Sequence, residues 1–598
     1  MQRLMLRGRF GWTLALGLIG CGFEGGFVSA DTDEASSGAA ADSSSSGGAE
    51  SGGTTADADS DSNSGGDDAS GGEEEDVCAA MGVPAQWTEG ELISPCGRPN
   101  PLGLPGDDVA AYAQAGHEHA LHYPVETTGI LLPERPLRTL IEGNPNDPLR
   151  QLMSELLPAF TGISSMEEIY ENLGLVKTPE GDYWGVTIMN TDRGAGLTFS
   201  CATCHSGRVF DTPTMGLFNR RSTANNMFVV YKPMFEAVGP NAFALGTGAD
   251  AGETDMWRMS RENIRYVRSV EPRTLGLDTA LAHTILSLGT RELDPWATRT
   301  ESSWQNPRDN ELQHYPSDVK PATWWLTKYK NKYFSDGSLV SGNPVLGALL
   351  VNEFGRGSDL VALDAWLIDN WEIIEEFTTG VFATEAPSFF DHFEAEAFDI
   401  EAAKRGEQLF ADNCARCHGT YDKGWSRPDA ASLSVREQLE TTRVVYFADT
   451  PIHDVGTDPH RRKSVEYIQD INDLALSQKY DLLLVPQDGY VPPPLEGIWA
   501  RWPYFHNNSA PSLCAVLTPA AQRPEVYQYG NITNQAVDFD SGCNGYPLDA
   551  PAHFDQVFDT TAPGLSNMGH DEGIFMDGGE ERFTASQKTD LVRFLQTL

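Results

Sequence analysis

Apolar and polar positions follow a helical period in two widely separated stretches of the chain, and each stretch carries its own capping signal. From Ile400 to Phe410, Ala403, Gly406 and Phe410 share one face, and Asp399 stands at the N-cap position. Near the far end, Thr584 and Gln587 make a capping-box pattern, and Leu591, Phe594, Leu595 and Leu598 then form one stripe. A third apolar run, Phe10 to Ile19, follows Arg3, Arg7 and Arg9 and has the pattern of an export signal, too short to span a membrane. Long Pro- and Gly-rich connections separate these elements. The pattern predicts a mainly α fold with long irregular loops and little β structure.

Composition divides the N-terminal part further. The export signal ends in Leu18-Ile19-Gly20-Cys21, which resembles a bacterial lipobox. The resemblance implies a lipoprotein signal peptide over 1–20 and a lipid anchor on Cys21. Glycine at position 22 points to the outer membrane, on its periplasmic or cell-surface face. From Asp31 to Asp76 the chain is almost entirely Ser, Gly, Ala, Asp and Glu, with a few Thr and one Asn and no aromatic, Lys or Arg. Such a segment cannot bury enough apolar surface to offset its ordering entropy, so 21–77 is expected to be a disordered acidic tether. The net charge of −44 excludes nucleic acid as a partner and suits a cationic electron-transfer partner.

The chemistry lies in two pentapeptides, Cys201-Ala202-Thr203-Cys204-His205 and Cys414-Ala415-Arg416-Cys417-His418. Cys-x-x-Cys-His is the attachment signal of c-type haem: two thiols bond the porphyrin and the adjacent histidine binds its iron. Zinc knuckles or thioredoxin-like pairs would leave both histidines unexplained. Two covalent haem c groups are therefore expected, one in a first haem domain over 78–390 and one in a C-terminal cytochrome c domain over 391–598. Nine cysteines then account for themselves. One takes lipid and four take haem; proximity in an oxidising compartment favours Cys78–Cys96 and Cys514–Cys543 for the rest, with the other pairings of these four still open on sequence.

A helix with a glycine on its buried face before the haem motif, and a last helix with an aromatic stripe, is the arrangement of cytochrome c domains. His205 and His418 are the proximal ligands. On spacing, Tyr490, His506 and His570 are the candidates for the far side of the second haem.

The segment Pro503-Tyr504-Phe505-His506-Asn507-Asn508-Ser509, preceded by Leu495-Glu496-Gly497-Ile498-Trp499-Ala500, resembles the signature of the di-haem cytochrome c peroxidase and MauG superfamily. Within it, the Lys320 to Lys330 segment with Trp324 and Trp325, and the Asn567-Met568-Gly569-His570 loop, are similar to the di-haem rubber oxygenases (RoxA- and RoxB-like). That resemblance implies His418 and His570 as the axial pair of the second haem. It implies Trp324 and Trp325 as catalytic residues that wall the oxygen side of the first haem, and a calcium between domains whose ligands are not identifiable here. The peroxidase branch would use Tyr490 instead of His570. Asn508 stands where the signature has glycine, and the lipid anchor and acidic tether are further departures.

His117, His119 and His122 have metal-ligand spacing but sit in a polar stretch that reads as a solvated loop. The function expected is a haem oxidoreductase acting with dioxygen or hydrogen peroxide, with an apolar organic substrate. The first haem is catalytic and the second relays electrons. A non-catalytic surface electron-transfer cytochrome is the alternative.

Overall fold

Two helix crossings organise the molecule, and each depends on a glycine. The computed structural model describes residues 106–598 apart from 123–129, 152–161, 224–228, 230–231, 265–266, 269–272, 278–280, 291–314, 341 and 357. The export signal, Cys21, the tether and the Cys78–Cys96 pair lie outside the described residues. Seven helices frame the site: α1 (Gly106–His122), α2 (Ala202–His205), α3 (Pro344–Arg356), α4 (Trp371–Ala383), α5 (Ile400–Asn413), α6 (Ala415–His418) and α7 (Ala585–Gln596).

The α5–α7 crossing is the one the hydrophobic pattern predicts. Asp399 caps α5 by accepting from the Ala402 amide, and the Thr584–Gln587 capping box opens α7. A Cβ on Gly406 would stand 2.0 Å from the Asp590 carbonyl oxygen, so only glycine permits this approach. Arg405 forks onto Asp590 at 2.8 and 3.0 Å, and Phe410 meets Phe594 at 5.2 Å between ring centroids.

A second crossing, α1 against α4, repeats the device in the first half. A Cβ on Gly116 would fall 1.9 Å from the Glu376 carbonyl oxygen. Sequence pattern did not reveal it. It also corrects the reading of the His117-x-His119-x-x-His122 stretch as a loop, because these residues lie in α1. They do not converge. His117 bonds to Gly380, His119 pairs with Glu376 at 2.6 Å, and His122 is exposed. Among the described residues, no group of three or more His, Cys, Asp or Glu side chains is arranged to hold a metal ion.

The described residues are mainly helical. The strands among them are short, forming one three-stranded and five two-stranded antiparallel sheets. Each Cys-x-x-Cys-His turn runs directly into such a strand: Ser206–Val209 pairs with Thr212–Met215, and Thr420–Lys423 with Thr441–Val445. Two hydrophobic clusters, around Trp257 and around Tyr170, lie wholly within the first half. One core joins Val209, Leu217, Phe218 and Trp325 to Phe410, Trp499, Leu591 and Phe594. Phe389 and Phe390, in the segment connecting α4 to α5, are buried in the same core. Cys514 and Cys543 form a disulfide. No described helix is long and apolar enough to cross a membrane.

Replacing Gly116 or Gly406 by alanine forces backbone apart and is expected to cost about 1–3 kcal/mol of stability, the usual range for overpacking. Chemical denaturation would show it as a lowered midpoint beside an exposed Glu401→Ala control. Unchanged midpoints would contradict the close crossings.

Candidate functional site

Both motifs fold as a single helical turn that fixes its histidine by one hydrogen bond. In α2 the His205 amide donates to the Cys201 carbonyl at 3.1 Å, and Thr203 Oγ1 ties the turn to the Gly185 carbonyl at 2.6 Å. His205 Nδ1 lies 2.9 Å from the Ala322 carbonyl oxygen, and His418 Nδ1 lies 2.8 Å from that of Pro493. A carbonyl only accepts, so each Nδ1 carries hydrogen and each Nε2 keeps its lone pair, as an iron ligand requires. None of the four motif cysteines is in a disulfide, and Cys204 Sγ lies 3.6 Å from Ser222 Oγ. Burial pushes the Cys201 thiol up to about 11 and the Cys414 thiol up to about 12.

One cavity of about 620 Å³ is lined by both motifs. Its walls are mostly apolar: Ile130, Phe199, Val345 and Leu349 near the first motif, Ile498, Val516, Leu591 and Leu595 near the second. Three buried cations interrupt them. Lys330 is pushed down to about 8 by burial and then by Arg501, and Arg501 is pushed down to about 10 by burial. Lys320 is driven down by burial too, its ammonium donating to the Arg501 and Pro503 carbonyls. Arg501 donates to the Pro494 carbonyl at 3.0 Å, yet its Nε has no hydrogen-bond partner. Glu496 is the one carboxylate acting on Arg501, and none acts on Lys320 or Lys330, a surplus of buried positive charge that calls for an anion. An apolar cavity with paired thiols, free imidazole Nε2 atoms and waiting cations fits haem, whose propionates supply that charge.

The three candidates for the far side of the second motif separate clearly. His570 lines the cavity in a left-handed conformation at φ 63°, its amide bonded to the Val455 carbonyl at 2.9 Å and its ring stacked on Phe505 at 5.3 Å. Its pKa is pushed down to about 3, first by burial and then by the charge of His418. Tyr490 donates its hydroxyl to the Asp458 carbonyl and lies face to face on His506 at 4.1 Å. His506 also lines the cavity, and after burial the groups acting on its charge are Asp458, Arg461 and Lys320. Of the three, His570 is the one whose charge His418 opposes, while the histidine acting on His418 itself is His453, which also lines the cavity.

Trp324 and Trp325, adjacent in a 3-10 helix (Trp324–Tyr329), have different neighbours. Trp324 lines the cavity and lies beside His205, with ring centroids 5.6 Å apart and planes 31° apart. It flanks the imidazole instead of standing across the cavity from it. Trp325 does not line the cavity; it is fully buried between the halves and donates to the Glu496 carbonyl at 3.0 Å. The wall formed by α3 presents Pro344, Val345, Ala348, Leu349 and Asn352, then Glu353 and Arg356. Sequence reading missed Lys330, Arg501 and the α3 wall; Lys330 and Arg501 do lie within or between the segments that carry the family resemblance.

Burial holds His205 and His418 down to about 4, below the ordinary 6.5. The unfolded chain therefore binds protons before the folded one does. In the chain without haem, stability should be complete above pH 6.5 and fall progressively down to about 4. Unfolding midpoints measured across that range check this, and a flat profile would contradict it.

Residues 489–528 match a family model described as RoxA-like, cytochrome c-like. The match covers the segments Leu495–Ala500 and Pro503–Ser509 and implies haem c as cofactor. Two relatives in Sinorhizobium fredii (strain NBRC 101917 / NGR234) are similar to this chain. The uncharacterized protein y4iM is 28% identical over 329 residues, 51% of this chain and 66% of its own length. The uncharacterized protein y4iJ is 26% identical over 251 residues, 34% of this chain and 39% of its own. This chain thus spans just under two thirds of one curated relative and about two fifths of the other. The chain carries a RoxA-like cytochrome c segment beside its second Cys-x-x-Cys-His turn.

Proposed function

We propose that this protein is an exported di-haem c-type cytochrome acting as an oxidoreductase of the di-haem rubber oxygenase branch of the peroxidase and MauG superfamily. One haem is held by Cys201, Cys204 and His205, the other by Cys414, Cys417, His418 and His570. The observation that carries the reading is asymmetry. His570 lines the cavity with its charge opposed by His418, whereas Trp324 flanks His205 and no methionine is among the described residues lining the cavity. Haem bound there supplies one-electron chemistry, with room for dioxygen or hydrogen peroxide where its iron has a single protein ligand.

The polypeptide's own contributions follow from the geometry. The carbonyls of Ala322 and Pro493 hold both imidazoles in the ligating tautomer. Val345, Ala348 and Leu349 keep water from the first site and suit an apolar organic substrate. Trp325, buried where the halves meet, supplies an oxidisable ring between the two motifs. Export and lipid anchoring through Cys21 belong to the same reading, since haem c is attached outside the cytoplasm. So does a cationic redox partner for so acidic a chain.

Electron paramagnetic resonance of the ferric protein tests the proposal. The expected spectrum has one low-spin centre indifferent to added imidazole and a second that shifts with it. His570→Ala should make both responsive. Two low-spin centres that ignore imidazole and cyanide would favour a carrier cytochrome and overturn the enzyme reading.

A further inference from the structure

A run of three rings leads from the first motif to α1. His205 lies 5.6 Å from Trp324, and Trp324 lies 6.3 Å from His117 of α1 with their planes 22° apart. Phe377 of α4 closes the edge of Trp324 at 5.6 Å. Backbone bonds hold the stack. Gly216 donates to the His205 carbonyl at 2.9 Å, and the Trp324 amide donates to the Gly216 carbonyl at 3.0 Å. His117 Nε2 lies 2.9 Å from the Gly380 carbonyl oxygen and 3.0 Å from Thr384 Oγ1. Since the carbonyl accepts, that nitrogen carries hydrogen and the ring orientation is fixed. The indole is 4% exposed, while His117 is half-buried and its neighbour Glu118 is exposed.

An indole is among the most readily oxidised side chains, and ordering one between an iron-binding imidazole and a ring near solvent has a use that packing alone does not need. We propose that Trp324, reached through His117, is the electron port of the first haem, passing single electrons between that haem and a one-electron donor at the α1–α4 face. The route rests on the reading that Cys201, Cys204 and His205 carry a haem. When a two-electron oxidant has been reduced at that haem, Trp324 supplies one electron to it and becomes an indole radical cation, its N–H bond intact. One electron from the external donor then restores the indole. No atom is transferred in either step. Trp325 plays no part in this route, because it faces the seam and bonds to the Glu496 carbonyl.

A photo-oxidant isolates the route from turnover. A ruthenium polypyridyl attached at Glu118→Cys on the haem-loaded protein, excited by flash and oxidised by a quencher, draws one electron through the stack from the reduced first haem. A second label at Asp412→Cys, an exposed position before the second motif, serves as control. Trp324→Phe, which removes the oxidisable ring and keeps an aromatic, should slow oxidation from the Glu118 label by an order of magnitude or more. Trp324→Tyr should restore most of the rate, and a transient indole radical should appear only with tryptophan present. The rate from the Asp412 label should not move. An unchanged rate from the Glu118 label overturns the port, as does an equal fall at both labels or a failure of tyrosine to rescue. Absence of haem from the peptide carrying Cys201 and Cys204 overturns the functional reading itself, and haem present with an unchanged rate overturns the port alone.

Discussion

The bond from each motif histidine to a distant backbone carbonyl is the constraint on which the rest depends. Imidazole has two nitrogens, and a ligand is useful only when the correct one is bare and aimed. His205 meets this condition because the segment before Trp324 delivers the Ala322 carbonyl to its Nδ1. His418 meets it because Pro493, just ahead of the RoxA-like signature, does the same. The segments that carry the family resemblance are thus also the segments that orient the ligands. Their backbone does this work, which explains why their residues look unremarkable as chemistry.

The two halves use one architecture with unequal outcomes. Each frames its motif with a glycine-permitted helix crossing and follows it at once with a short strand. They then share a buried core that reaches from Phe218 and Trp325 to Phe410 and Phe594. The inequality arises in what the cavity walls supply. A strained loop brings His570 toward His418, with φ at 63° and Phe505 against its ring. On the first motif's side, α3 presents Val345, Ala348 and Leu349 to the cavity and packs Leu346, Leu350 and Phe354 into a core on its other face. Lys330 and Arg501, cations held out of water in between, make sense when anionic propionates share the space.

What the sequence disclosed was local. The α5 and α7 helices carry their caps, their stripes and Gly406 within a few residues of one another, so pattern alone defines them. The Cys514–Cys543 disulfide likewise joined near neighbours. The α1–α4 crossing brings Gly116 against Glu376 across most of the first half, and nothing near Gly116 announces its partner. That absence turned the His117 stretch into an apparent loop. Trp324 and Trp325 were conspicuous as residues, but their separate surroundings were not. A 3-10 helix sends consecutive side chains in different directions, and only tertiary packing decides which one meets His205. Lys330 and Arg501 carried no signal, since a buried cation is indistinguishable from a surface one until its neighbours are known.

The most direct test of the whole account is the mass of the intact, denatured polypeptide purified from cells able to attach haem. The account predicts an increment of two haem groups that survives denaturation. It predicts one group after Cys201→Ala with Cys204→Ala, and the other after Cys414→Ala with Cys417→Ala. A colourless chain at its bare polypeptide mass, or pigment that leaves the denatured protein for organic solvent, would contradict it.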